Sequence, residues 1–122
     1  MRWFARGALC LSIRMKPESQ ERYSRQILFA GLGEQGQERL LKARVVIVGC
    51  GATGSAVVSL LARAGIGYLR IVDRDYVEAS NLQRQNLFDE CDAAESAPKA
   101  IAACKKIAAF NSEVKAEPRA SD

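Results

Sequence analysis

Apolar residues along the chain follow two kinds of pattern, and their alternation predicts an α/β fold. Residues 44–48, RVVIV, form a β-branched run of strand length, which suits a strand buried on both faces of a sheet. Over 53–64, Val57, Leu60, Leu61 and Ala64 share one helical stripe, and Gly65 and Gly67 supply a helix-to-strand connection. Residues 68–72 read as a second strand. Upstream, Tyr23, Ile27 and Ala30 recur at helical spacing over 21–30, the glycines at 31 and 33 stop that helix, and another fits 34–43. Downstream, 97–110 predicts a helix with Pro98 in its first turn, Ile101, Cys104, Ile107 and Ala108 inward, and Asn111 as its C-terminal cap. A third strand is expected over 113–117, ended by Pro118.

Strand 44–48, helix 53–64 and strand 68–72 make one βαβ unit of about 30 residues. The expected fold class is therefore α/β: a Rossmann-like three-layer fold with a parallel sheet, truncated after about three strands in the order 3-2-1. At 122 residues the chain is short for covering both faces of such a sheet. Strand 44–48 is left with an unpaired apolar edge, which invites aggregation. Residues 1–19 are expected to be a poorly ordered leader, with Met1 or Met15 as the start, and 20–122 the amino-terminal part of a nucleotide-binding domain.

With 48% hydrophobic and 26% charged residues, the composition is that of an ordinary globular protein. The formal net charge of +4 is scattered without a long basic run, so nucleic acid is not indicated. No segment reaches the roughly 20 apolar residues of a membrane span. Residues 1–14 begin like a signal peptide, but Arg6 and the short apolar run at 8–13 argue against secretion, and a cytoplasmic location is expected. Cys10, Cys50, Cys91 and Cys104 contain no C-x-x-C pair and the chain has no histidine, so reduced thiols rather than a zinc site are expected. Cys50 reads as a small apolar filler.

Chemistry is concentrated where strand 44–48 runs into GCGATG. Gly49, Gly51 and Gly54 satisfy G-x-G-x-x-G between a strand and a helix, where glycines allow a sharp turn, amide approach to phosphate and close helix packing. Thr53 is placed to cap the helix that follows. Asp73 ends the second strand about twenty residues on, where a carboxylate accepts hydrogen bonds from a ribose diol. A nucleotide is the natural ligand, and the loop leaves NAD and ATP open. The long polar segment at 73–92 separates them. A triphosphate attacked at its α-phosphorus needs several cations and amides around it, and Arg84, Lys99, Asn81 and Gln85 supply that set. Arg84 and Lys99 are both expected to be exposed.

RYSRQ at 22–26, the GCGATG loop, DRDYVEASNLQRQ at 73–85 and PK at 98–99 resemble, in order and spacing, the amino-terminal half of the ThiF/MoeB/HesA adenylyltransferases, relatives of the ubiquitin-activating enzymes. The resemblance covers about residues 20–118. It implies that Asp73 binds the ATP ribose, that Asn81, Arg84 and Lys99 hold the phosphates with Gln85 close by, and that Asp75 belongs to the same nucleotide-binding set. It further implies that Arg25 reaches the ATP site of the other subunit of a homodimer, which makes Arg84, Lys99 and Arg25 the catalytic residues. The implied reaction is ATP-dependent adenylation of the C-terminal Gly-Gly carboxylate of a ubiquitin-like sulfur-carrier protein. The implied cofactor is Mg2+, with its ligand expected downstream of this chain, and no metal ligand is assigned within it. A non-catalytic nucleotide-binding or dimerisation module is the alternative, and an NAD-dependent oxidoreductase a weaker one. The sequence names neither the carrier nor the pathway.

Overall fold

The computed structural model of the chain describes residues 14–121. The expectations for residues 1–13, including the signal-like leader and Cys10, lie outside the described residues.

Three parallel strands, β1 (Arg44–Val48), β2 (Tyr68–Val72) and β3 (Lys115–Arg119), form one sheet in the order β1-β2-β3, as expected. The register sets Ile47 beside Ile71 beside Pro118, and Val45 beside Leu69 beside Ala116. Side chains alternate across a strand, so these six residues share a face. Helix α4 (Ala52–Ala64) connects β1 to β2 and helix α6 (Lys99–Phe110) connects β2 to β3. Right-handed crossovers stepping the same way put both helices on one side of the sheet. There Val58, Ala62, Ala103 and Ile107 meet Ile47, Leu69 and Ile71 in the core.

The opposite face is half polar. The Arg44 guanidinium lies 4.0 Å over the Tyr68 ring, the Tyr68 hydroxyl donates to Glu117, and Arg70 Nη2 donates to the same carboxylate at 3.2 Å. Val46 and Val48 on this face are 57% and 78% exposed. The expectation that β1 is buried on both faces is thus corrected: its Ile47 side is buried and its Val46 and Val48 side is not.

Helix α4 also turns a different stripe inward. Ser55, Val58 and Ala62 are buried, whereas Val57 and Leu60, expected inside, are 38% and 68% exposed. The physical reason is Gly54, which faces the β1 terminus at close range; residues 58 and 62 repeat its side of the helix at four-residue steps. In α6 the buried residues are Lys99, Ala100, Ala102, Ala103 and Ile107, while Ile101 and Ala108 point outward and Cys104 is half-buried. The inward alanines let the neighbouring helices approach closely.

The expected helix over 21–30 is divided at Tyr23 into α1 (Pro17–Arg22) and α2 (Ser24–Ile27), and α1 opens inside the expected leader. Helix α3 (Gly33–Lys42) follows. Tyr23 is buried and its hydroxyl accepts from Asn111 Nδ2 at 2.9 Å, while the same amide donates to the Ala62 carbonyl at 2.8 Å. Gln26 and the buried Gln37 both donate to the Ala64 carbonyl, at 3.0 and 2.9 Å. Side chains from three other parts of the chain therefore satisfy the last-turn carbonyls of α4, which ends in a left-handed Gly65.

Strand β3 runs two residues later than expected and contains Pro118. Lys115 N–H donates to Gly67 and the Arg119 carbonyl accepts from Asp73 N–H. Alternate positions, Pro118 among them, therefore face the outer edge, where no ladder donor is needed. The polar segment at 73–92 contains a 3-10 turn (Ala79–Asn81) and runs into helix α5 (Glu90–Ala94), each opened by a reciprocal capping box. Among the described residues no helix is long and apolar enough to cross a membrane.

The exposed β1 edge yields the first prediction. Val46→Lys places a charge on that edge, a device that blocks edge-to-edge pairing, and it should raise the soluble fraction of the expressed chain while changing stability by no more than about 0.5 kcal/mol. Sedimentation velocity and a denaturant titration read the two effects; unchanged self-association would count against the edge as its cause.

Candidate functional site

The site forms where the loops after β1 and β2 meet at the carboxyl ends of the strands. Gly49 takes φ +89°, a backbone region that side-chain-bearing residues rarely adopt. The turn brings Gly54 against it so closely that a Cβ on Gly54 would lie 1.9 Å from the Gly49 carbonyl oxygen. Helix α4 starts at Ala52 with Gly51 in the cap position and no side-chain capping bond. Thr53 therefore sits inside the first turn, and the expectation that it caps the helix is corrected. A Cβ on Gly51 would meet no protein atom within 4 Å.

Asp73 follows β2 directly and joins the two loops. Its Oδ2 accepts from Cys50 N–H at 2.6 Å and its Oδ1 from Asp75 N–H at 2.7 Å. The Asp75 carbonyl in turn accepts from Lys99 N–H at 2.9 Å, which fixes the start of α6 to the same loop.

Two neighbouring cavities open here, both lined by Arg74 and Asp75. One, of about 230 Å³, is bordered by Val48, Gly49 and Asp73; the other, of about 490 Å³, by Asn81, Arg84, Gln85 and Lys99. The structure therefore brings Gly49, Asp73, Asp75, Asn81, Arg84, Gln85 and Lys99 to one continuous edge. Arg25 does not line these cavities; it is exposed on α2, next to Gln26, which binds the end of α4.

The polar residues hold distinct local roles. Asn81 is buried, and its Oδ1 accepts from Glu78 N–H at 3.0 Å, closing the 3-10 turn. Arg84 is exposed as expected, and its Nη1 donates to the Ser80 carbonyl at 2.9 Å. Gln85 is 3% exposed and its Oε1 has no hydrogen-bond partner. Lys99 departs from expectation. Its side chain is only 7% exposed, and Nζ lies 3.6 Å from Asp75 Oδ2. The reason is its place at the start of α6, where the backbone bond to Asp75 draws the 73–77 loop across it.

Tyr76 and Glu78 also line the larger cavity but were not singled out from the sequence; their membership of the segment at 73–92 was the available signal. Among the described residues no group of three or more His, Cys, Asp or Glu is arranged to hold a metal ion. Cys50 is fully buried, and burial, with the Asp73 carboxylate second, pushes its thiol up to about 12.

Fold and site together define a Rossmann-like α/β domain with a polar cleft at the strand ends. Residues 23–122 match the ThiF family, and the chain belongs to it. The chain is 54% identical over 93 residues to the sulfur carrier protein ThiS adenylyltransferase of Bacillus subtilis, covering 76% of this chain and 28% of that protein. It is 43% identical over 105 residues to the sulfur carrier protein adenylyltransferase of Thermus thermophilus, covering 86% and 38%. Among solved structures, E. coli MccB crystallised with ATP superposes with a TM-score of 0.74 at 34% identity, over 88% of this chain and 33% of that one. PaaA gives 0.81 at 36%, over 93% and 37%. The chain thus spans well under half the length of these relatives.

The loop geometry generates two further tests. Gly54→Ala forces backbone apart at Gly49 and should lower stability by about 3 kcal/mol, the upper range for overpacking; a loss under about 1 kcal/mol would show that the loop yields. At pH 8 the raised Cys50 pKa leaves roughly a thousandfold less thiolate than a free cysteine has. A thiol reagent should therefore modify the exposed Cys91 quickly and Cys50 only after unfolding. Peptide mass mapping over time tests the order.

Proposed function

We propose that the chain is the nucleotide-binding part of an adenylyltransferase that uses ATP to activate the C-terminal Gly-Gly carboxylate of a ubiquitin-like sulfur-carrier protein. The observation that carries this reading is the cleft itself, where Arg84, Lys99 and Arg74 and two carboxamides, Asn81 and Gln85, line a cavity that neighbours the one bordered by Gly49. ThiF family membership and the names of the curated relatives support the same chemistry.

The chain's groups suit a nucleoside triphosphate as substrate. Asp73 uses two of the roughly four acceptor positions of a carboxylate on Cys50 and Asp75, which leaves capacity for a ribose diol. Open space beyond Gly51 and the dipole at the start of α4 favour phosphate. In the proposed reaction a carrier carboxylate oxygen bonds to the α-phosphorus, the bond to the bridging oxygen breaks, and pyrophosphate leaves with the electron pair. A carboxylate is already nucleophilic, so Arg84 and Lys99 act by position and charge, without a general base. We assign Arg25 to the partner subunit's site in a homodimer, and place the protein in the cytoplasm.

ATP binding to the full chain tests the reading. ATP should raise the melting temperature and NAD should not; Arg84→Ala should weaken ATP binding tenfold to a hundredfold, the weight of about 1.5–3 kcal/mol for a charge-assisted hydrogen bond. Because Arg84 is exposed, the ligand-free melting temperature should barely move. Stabilisation by NAD, or unchanged ATP affinity in the variant, would overturn the assignment.

A further inference from the structure

Lys99 carries a full charge on a side chain only 7% exposed, and among the described residues Asp75 is the carboxylate within ion-pair reach, at 3.6 Å. A charge removed from water requires such a partner. Yet Asp75 is an unusual one. Its own side chain is 63% exposed, and its carboxylate also lies 4.0 Å from the Arg74 guanidinium. Its backbone is held at both ends, the N–H by Asp73 and the carbonyl by Lys99 N–H. The carboxylate can therefore leave Lys99 by side-chain rotation alone, without disturbing the loop.

Asp75 also borders both cavities, lying between the glycine-loop side and the Lys99 side. An anion laid from Gly49 toward Lys99 meets its carboxylate on the way. We propose that Asp75 is a displaceable counter-ion: it neutralises Lys99 in the free chain, and the phosphate chain of a nucleoside triphosphate replaces it, turning the carboxylate out to water. The nucleotide identity rests on the function proposed above; the exchange of carboxylate for polyphosphate does not. The exchange favours polyanions, because a small anion with one or two charges must evict a carboxylate for little gain.

The test titrates the full chain and Asp75→Asn with sodium tripolyphosphate in metal-chelating buffer by calorimetry. The variant should bind about tenfold tighter, and a D75N/K99M double variant should lose that gain. Equal or weaker binding in Asp75→Asn, or no binding to either protein, overturns the proposal. Should the single variant fail to fold because Lys99 is left uncompensated, the wild-type chain decides with 13C-carboxyl-labelled aspartate. The Asp75 resonance should move on saturation with tripolyphosphate, and a stationary signal overturns the exchange. Adenosine, which has no phosphate, should bind both proteins equally. Its failure to bind either would sink the nucleotide reading while leaving the anion result to stand by itself.

Discussion

The carboxylate of Asp73 holds the site together. One oxygen receives the Cys50 N–H from the glycine loop and the other the Asp75 N–H from the loop after β2. Hydrogen bonds to an ionised acceptor are short and stronger than neutral ones, and here they tie together two loops that the sheet alone would leave as neighbours. The linkage continues through the Asp75 carbonyl to the first residue of α6. Cys50, Asp73, Asp75 and Lys99 form one backbone-anchored line across the carboxyl end of the sheet, where ligands of open α/β sheets bind.

The second end of the polar segment is fastened to the same helix. Lys106 joins the carboxylates of Asp89 and Asp92, the two residues of the α5 capping box. Those contacts hold the Asp89 carboxyl below its usual range and raise the Lys106 ammonium, with the Lys106 to Asp89 hydrogen bond the largest cause of each. Lys99 and Lys106 are separated by about two helical turns and so share a face of α6. The polar segment from 73 to 92 is thereby secured at both ends; Asn81 closes a short 3-10 turn, and its carbonyl accepts from the Arg84 and Gln85 N–H groups that follow it. Preorganisation of this kind reduces the ordering entropy that binding would otherwise have to offset.

Much of this was readable from the sequence because it depends on local chemistry. The strand, glycine loop, helix and acid occur in an order that only close backbone packing requires, and Gly49 and Gly54 occupy those positions. What escaped was rotational or long-range. The inward stripe of α4 follows Gly54 rather than the largest apolar residues, so Val57 and Leu60 read as core when they are not. Lys99 read as exposed because lysine almost always is, and only the fold shows Asp75 crossing it. Pro118 read as a strand end, since nothing local reveals that β3 is an outer strand turning that position away from its neighbour. Asn111 was legible as a helix end, but its bonds to Tyr23 and Ala62 link residues far apart in the chain.

The RYSRQ motif shows how one short stretch divides its labour. Gln26, with Gln37 and Asn111, donates to the last carbonyls of α4, and the buried Tyr23 hydroxyl accepts from Asn111 and so holds that amide in place. Buried polar groups in such a network are costly to leave unpaired, so these residues fix where α4 ends and hence how its first turn meets Gly49. Arg25 stands between them and faces outward. Its direction follows from its neighbours: with Tyr23 and Gln26 committed to the α4 terminus, the two residues between them, Ser24 and Arg25, are left on the surface. The motif thus divides between residues that hold the end of α4 and an arginine carried on the surface.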